Sequence, residues 1–369
     1  MFCNCFSKNS QFPEKKGPKE MPAASKILEI PTISVQDREP SIYDEEQIKL
    51  LRESCEDVGF FYLRVEDKKL SDLLHEVFKQ TKQFFSLPMN DKKRFSDPVL
   101  NRGYTAMGEE TLDPSRQSKG DTKEGYYLAD DIPKADRKYN PEKLSGPNTY
   151  PTGIDDQLDC AHWKHTMMDY HKQMKDVSFR LIKMLAMALN LPISYFEQHF
   201  EEPLAVLRLL HYTNEVSDVD KGIFACGAHS DYGMLTLLAM DKPGLQIYHD
   251  DDWVDVPMVE PYNNEMGTST FVVNLGDMLE RWTNGKFKST LHRVLISSDA
   301  NDKRDEGGQT DILSDRYSIP FFYEPSFDTV VECIENCLGD EGAKYPPITS
   351  GQHLLDKYKE THADFVESS

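Results

Sequence analysis

The sequence predicts a mixed α+β protein, mainly β in its core, with helices packed around an antiparallel barrel. Two observations carry this. From residue 205 onward the chain breaks into short apolar runs separated by turn signals such as DKPG, HDDD, NLGD and TNGK; that punctuation belongs to a sandwich or barrel rather than to βαβ units. Before residue 200, apolar residues recur at helical spacing in three stretches. No internal repeat is visible.

Residues 1–25 are polar, rich in Lys and Pro and without hydrophobic period, and are expected to be disordered. Order begins at ILEIPTISV (27–35), a strand followed by a loop. Ser41 with Asp44 resembles a capping box ahead of Ile48, Leu51, Cys55 and Val58. GFFYLRV (59–65) reads as a strand and SDLLHEVFKQTKQFF (71–85) as an amphipathic helix. Residues 100–160 are rich in Gly, Pro and Asp and lack a period; irregular structure of that length is usually functional or mobile. A long helix is predicted over 160–189, with Met174, Val177, Leu181 and Leu185 on one face. The strands AVLRLLHY, GMLTLLAM, GLQIYHD, WVDV, TFVVNL, HRVLIS and RYSIPFFY follow, then a helix at 351–365. The expected division is a disordered segment (1–25), a helix and strand region (26–200), the barrel (201–350) and a C-terminal helix with its tail (351–369).

Composition narrows the function. The 42 basic and 63 acidic residues give a net charge of −21, which offers no electrostatic footprint for nucleic acid or an anionic membrane. No apolar run approaches the ~20 residues that span a bilayer. MFCNCFSKNS lacks the basic and apolar regions of a secretory signal. Lipidation of Cys3 or Cys5 would anchor weakly without a second signal, and none is visible. Seven cysteines at irregular spacing read as free thiols of a reducing compartment. The expectation is a cytoplasmic monomer, without stable membrane association, acting on a small molecule.

His-x-Asp occurs three times, at His229/Asp231, His249/Asp251 and His362/Asp364. His249 sits in HDDDW, the acidic tip of a hairpin, and His362 in a helix, where i and i+2 do not share a face. His229-Ser230-Asp231 precedes an apolar strand. If that segment is extended, both side chains face one interior, where an unpartnered carboxylate would be costly. A divalent metal supplies the partner; a hydrogen-bonded His–Asp core pair is the alternative. His292, after the TNGK turn and at the head of an apolar strand, is the candidate third ligand. Two imidazoles and a carboxylate make a facial triad with open positions for an organic chelate and O₂, although a zinc hydrolase uses the same atoms. Cys333, Cys337 and His353 supply only three ligands and no Cys-x-x-Cys, so they read as packing.

Arg316 opens the apolar strand RYSIPFF. Facing inward it calls for a carboxylate, which the guanidinium fork meets bidentately; facing solvent it needs nothing. Ser318 and Phe322 share its face, one as a hydrogen-bond donor and the other as an aromatic wall. Arg102, Tyr104, Tyr126 and Tyr127, in the variable 100–130 region, are candidates for the substrate pocket.

Together, HSDYGMLTLL, NLGDMLERWTNGKFKSTLHRV and RYSIPFFYEP, with CEDVGFFYL, FFSLPMNDK and RGYT upstream, resemble the plant-type iron(II)/2-oxoglutarate-dependent dioxygenases, the group that includes isopenicillin N synthase. The resemblance covers residues 28–365. It implies a double-stranded β-helix (jelly-roll) core with an N-terminal helical portion. It further implies iron on His229, Asp231 and His292, and the distal carboxylate of 2-oxoglutarate on Arg316 and Ser318 with help from Tyr212. O₂ would be the oxidant, ascorbate a candidate reductant, and succinate and CO₂ the co-products of hydroxylation, desaturation or ring closure. Phe322 matches a pocket aromatic. Two departures stand out: Leu210 replaces a frequent Asn, and RVEDKKL replaces an Asn-His-Gly turn. The alternatives are an oxidase of the same fold, with Arg316 and Ser318 gripping the substrate, and a catalytically silent binding protein.

Overall fold

Adjacent residues of the core strands point to opposite sides, and here both sides are covered. The computed structural model describes residues 29–35, 45–297 and 315–361. The Ser41–Asp44 capping box, His362/Asp364 and residues 1–25 lie outside the described residues. The chain runs β1 (Thr32–Val35), α1 (Glu45–Asp57), β2 (Phe60–Glu66), α2 (Lys68–Phe85), α3 (Met89–Lys92), β3 (Ser96–Asp97), β4 (Arg102–Thr105), β5 (Lys123–Leu128) and α4 (Cys160–Ala188). It continues with β6 (Pro203–Tyr212), β7 (Cys226–His229), β8 (Leu235–Met240), β9 (Leu245–His249), β10 (Asp252–Asp255), β11 (Tyr262–Asn263) and β12 (Thr268–Leu275). The last elements are α5 (Asp277–Trp282), β13 (His292–Val294), β14 (Arg316–Ser326), β15 (Val330–Val331), β16 (Ile348–Thr349) and α6 (Ser350–Thr361).

A large sheet has the order β1-β2-β12-β8-β14-β6-β5-β4-β3, with β11 added beside β12, and a small sheet the order β10-β9-β13-β7. One face of the large sheet, with Phe61, Leu63, Leu207, Leu209, Leu235, Leu237, Phe271, Val273, Ile319 and Phe321, packs on the helices. The other, with Phe60, Tyr62, Leu210, Tyr212, Met240 and Val272, packs on Cys226, Leu245, Ile247 and Val294 of the small sheet. These facing sheets are the jelly roll. Because residues of both parities are buried, the strands read as unbroken apolar runs.

The helices start where side chains cap them. Asp67 accepts from the backbone N–H groups of Lys69 and Leu70, so α2 begins at Lys68, three residues earlier than expected, within the VEDKKL departure. Asp159 caps α4 through His162 N–H, and α4 buries Trp163, Met167, Tyr170, Met174, Val177, Leu181 and Leu185.

Three expectations are corrected. The stretch 100–160 is not irregular throughout, because β4 and β5 cross it; every residue of β5 is buried, which erases the alternation that marks a strand. NLGD is not only a turn but the entry to α5. CGAH, read as no element, is β7. The HDDD tip is a hairpin as predicted: Asp250 and Asp251, with φ of 51° and 64°, form its two-residue loop.

Candidate metal and co-substrate site

His229 closes β7, His292 opens β13, and they are register partners across the small sheet. Asp231 lies in the bend between β7 and β8. One ligand atom from each of the three falls within 4.8 Å of the others. Nε2 of His229 and of His292 lie 3.8 and 3.7 Å from Asp231 Oδ1. Each imidazole sits with Nδ1 near a backbone carbonyl, His229 at 2.8 Å from Gly227 O and His292 at 3.1 Å from Thr290 O. With Nδ1–H donating, the Nε2 lone pairs are left for a metal. Asp231 Oδ2 accepts from Thr236 Oγ1 and, at 2.6 Å, from Asn274 Nδ2, which leaves Oδ1 toward the histidines.

The charges suit a cation. Burial pushes the Asp231 carboxyl up, but His292, His229 and the Thr236 and Asn274 hydrogen bonds outweigh it, and the group lies below its ordinary value. Burial, then the nearby His229, hold His292 down to about 4 against the pull of Asp231, so its imidazole is neutral at pH 7. Imidazole nitrogens and a carboxylate are the donor set that ferrous iron takes. Among the described residues, no other group of three or more such side chains can hold a metal; Cys333, Cys337 and His353 do not form one.

The bend is held from beneath by α5, whose first amides donate from Asp277 to Asp231 O (2.8 Å) and from Met278 to Gly233 O (3.0 Å). Thr236 and Asn274, neither anticipated, are register partners on β8 and β12. Outer-shell partners of this kind tune metal affinity by ~10–100-fold. Asn274→Ala is therefore expected to weaken iron binding by about that factor in an equilibrium titration; unchanged affinity would exclude Asn274 from the site.

On the same inner face, Arg316 pairs in register with Tyr212, and Ser318 with Leu210. The guanidinium lies 4.7 Å from the Tyr212 ring. Nε donates to the carbonyls of Lys242 (3.2 Å) and Pro243 (3.1 Å). Nη1 is buried with no partner. A guanidinium N–H enclosed at 2% exposure fits the carboxylate of an incoming acid.

A cavity of about 510 Å³ opens over His229 and Asp231, with Tyr127, Arg208, Phe322 and Glu324 in its wall. Of the predicted pocket residues, Tyr127, Phe322 and Arg102 line it. Tyr104 and Tyr126 do not. Tyr126 packs edge-on against Phe84 and Trp163, and Tyr104 lies beside Phe84 and donates to Glu124. Adjacent strand residues cannot both face inward, and Tyr127 has the inward place. Arg102 donates through Nη1 and Nη2 to the carbonyls of Leu100, Asn101 and Leu144, which makes it a strut of the wall. Sequence reasoning missed Arg208, which binds Glu110 and stacks 4.3 Å over Tyr127, and Glu324. Burial raises the Glu324 carboxyl to about 8.

A jelly roll with two imidazoles, a carboxylate and a buried inward arginine defines the class of non-haem iron oxygenases that use a 2-oxo acid. Residues 30–153 match the family described as non-haem dioxygenase in morphine synthesis, N-terminal, and residues 204–325 match the 2OG-Fe(II) oxygenase superfamily. A 2-oxoglutarate-Fe(II) type oxidoreductase of Emericella nidulans is 32% identical over 85% of this chain and 84% of its own. Kihadalactone A synthase of Citrus sinensis is 31% identical over 87% of this chain and 90% of its own. The crystal structure of a full-length Neurospora crassa protein in complex with alpha-KG superimposes with a TM-score of 0.71 at 29% identity, covering 89% of this chain and 96% of that one. The chain belongs to the 2OG-Fe(II) oxygenase superfamily. It is an oxidoreductase that uses Fe(II), 2-oxoglutarate and O₂ on small metabolites.

Proposed function

We propose that His229, Asp231 and His292 hold the iron, that Arg316, Ser318 and Tyr212 hold the distal carboxylate of 2-oxoglutarate, and that the primary substrate enters the cavity beside Tyr127 and Phe322. The observation that carries this reading is the pairing of a converging donor triad with a partnerless Arg316 Nη1 on one inner face. Bound iron supplies the coupling of O₂ reduction and 2-oxo acid decarboxylation to oxidation of a substrate C–H bond. The protein's part is positional. The carbonyls of Gly227 and Thr290 orient the imidazoles, Thr236 and Asn274 orient the carboxylate, and Arg316 sets the depth of the co-substrate. Apolar residues around them, Leu210, Leu245, Ile247, Val272 and Val294, keep water out.

The test is a turnover screen of iron-loaded protein against a metabolite library. Succinate is expected in proportion to oxidised product, with no turnover when 2-oxoglutarate is withheld. Oxidation without 2-oxoglutarate would identify an oxidase instead.

We also infer a cytoplasmic monomer. Cys55, Cys160, Cys226, Cys333 and Cys337 are free thiols, no helix among the described residues is long and apolar enough to cross a membrane, and both sites are built from one chain. A single-chain mass by light scattering checks the oligomeric state.

A further inference from the structure

Most of the cations and carboxylates of the cavity wall are matched; among the described residues the exposed Glu201 and the buried Glu324 pair with no cation. Arg208 binds Glu110, Lys175 binds Asp130 at 2.9 Å, and Lys138 binds Glu202 at 3.0 Å. Lys143 binds Asp328, and the Nη groups of Arg102 are taken up by carbonyls. Asp231 faces the imidazoles. Glu324 is left over. It is 4% exposed, lies two positions beyond Phe322 on β14, and lines the cavity. Among the described residues no cation pairs with it. Oε2 accepts the Met234 N–H, the one hydrogen bond to this carboxyl among the described residues. Gly233 lies against this carboxyl: a Cβ there would meet Oε1, Cδ and Oε2 as the side chain now stands. The protein side chains felt by Glu324 are Asp231 and Tyr358, and neither is a cation.

A carboxyl held inside a protein without a partner is costly, and here the missing partner has to come from the cavity. We propose that Glu324 is the recognition residue for a basic nitrogen of the primary substrate, so that this oxygenase acts on an amine, an amidine or a nitrogen heterocycle. The proposal rests on the reading that the cavity over His229 and Asp231 receives the substrate. An amine or amidine arrives already protonated at neutral pH, so carboxylate and N–H⁺ form a hydrogen-bonded pair and any proton on the carboxyl leaves to solvent; a heterocycle that arrives as the free base takes that proton on its nitrogen instead. The Phe322 ring in the same wall suits a cation better than an anion.

The experiment uses three isosteric probes, benzamidine, benzamide and benzoate, titrated calorimetrically into full-length protein loaded with Mn(II) and 2-oxoglutarate without O₂. Benzamidine is expected to bind about tenfold or more tighter than benzamide, with benzoate weakest. In Glu324→Gln, whose amide can still accept the Met234 N–H, the preference is expected to fall to within about twofold. Equal binding of the three probes to wild type, or tightest binding of benzoate, overturns the proposal without recourse to the variant. A benzamidine preference that survives in Glu324→Gln overturns it as well. None of these arms depends on turnover, so they fail separately from the succinate test of the oxygenase reading.

Discussion

His292→Ala is expected to empty the metal site: iron occupancy falls from stoichiometric to background, and turnover with it, while the fold is retained. His292 begins a strand whose partners β7 and β9 do not need its imidazole for pairing. The loss therefore belongs to coordination and not to the sheet. Three protein ligands on one side of an iron leave no redundancy, and two do not hold it against water. His229→Ala and Asp231→Ala are expected to behave alike. His249→Ala, at the hairpin tip, is the control and is expected to be silent. Full iron occupancy in His292→Ala, measured by metal analysis after desalting, would place the metal elsewhere.

Arg316→Lys is expected to raise KM for 2-oxoglutarate by about 30-fold to several thousand-fold with iron content unchanged. Truncating one partner of a buried charged pair costs ~2–5 kcal/mol, and that range converts to those factors. The geometry says why lysine cannot substitute. Arg316 uses Nε to hold the carbonyls of Lys242 and Pro243 while Nη1 is left without a partner, and an ammonium cannot keep both directions in one plane. Ser318→Ala, which removes one hydroxyl, is expected to have a milder effect on the same constant. If Arg316→Lys instead weakened only the primary substrate, the arginine would be gripping that molecule, as in an oxidase of the same fold.

Much of this was legible in the sequence, and the rest shows where local pattern stops informing. Arg316 was legible because an arginine opening an apolar strand demands an explanation on its own. Asn274 and Thr236 sit just as anomalously in TFVVNL and GMLTLLAM, yet their meaning depends on their standing opposite each other, and strand pairing leaves no local trace. Which of Tyr126 and Tyr127 faces inward was equally hidden, because β5 is buried on both sides and carries no alternation to fix its phase. The six-residue α5 is too short to show a period; its docking under the 231–233 bend makes it a helix. Glu324 is one carboxyl in FFYEP, and only the fold shows that it is buried in the cavity wall.

The placement of the triad has a mechanical consequence. The two histidines belong to the small sheet, whereas Asp231 is tied by Thr236 and Asn274 to β8 and β12 of the large one. An ion bound by all three is a rivet through two plates, and its removal frees the plates to part along the seam where the reactants enter. Metal at 100 times its Kd adds about 2.7 kcal/mol against such parting. A chelated protein would then loosen first along β7, β9 and β13, and iron supply would set how long the enzyme lasts as well as how fast it works.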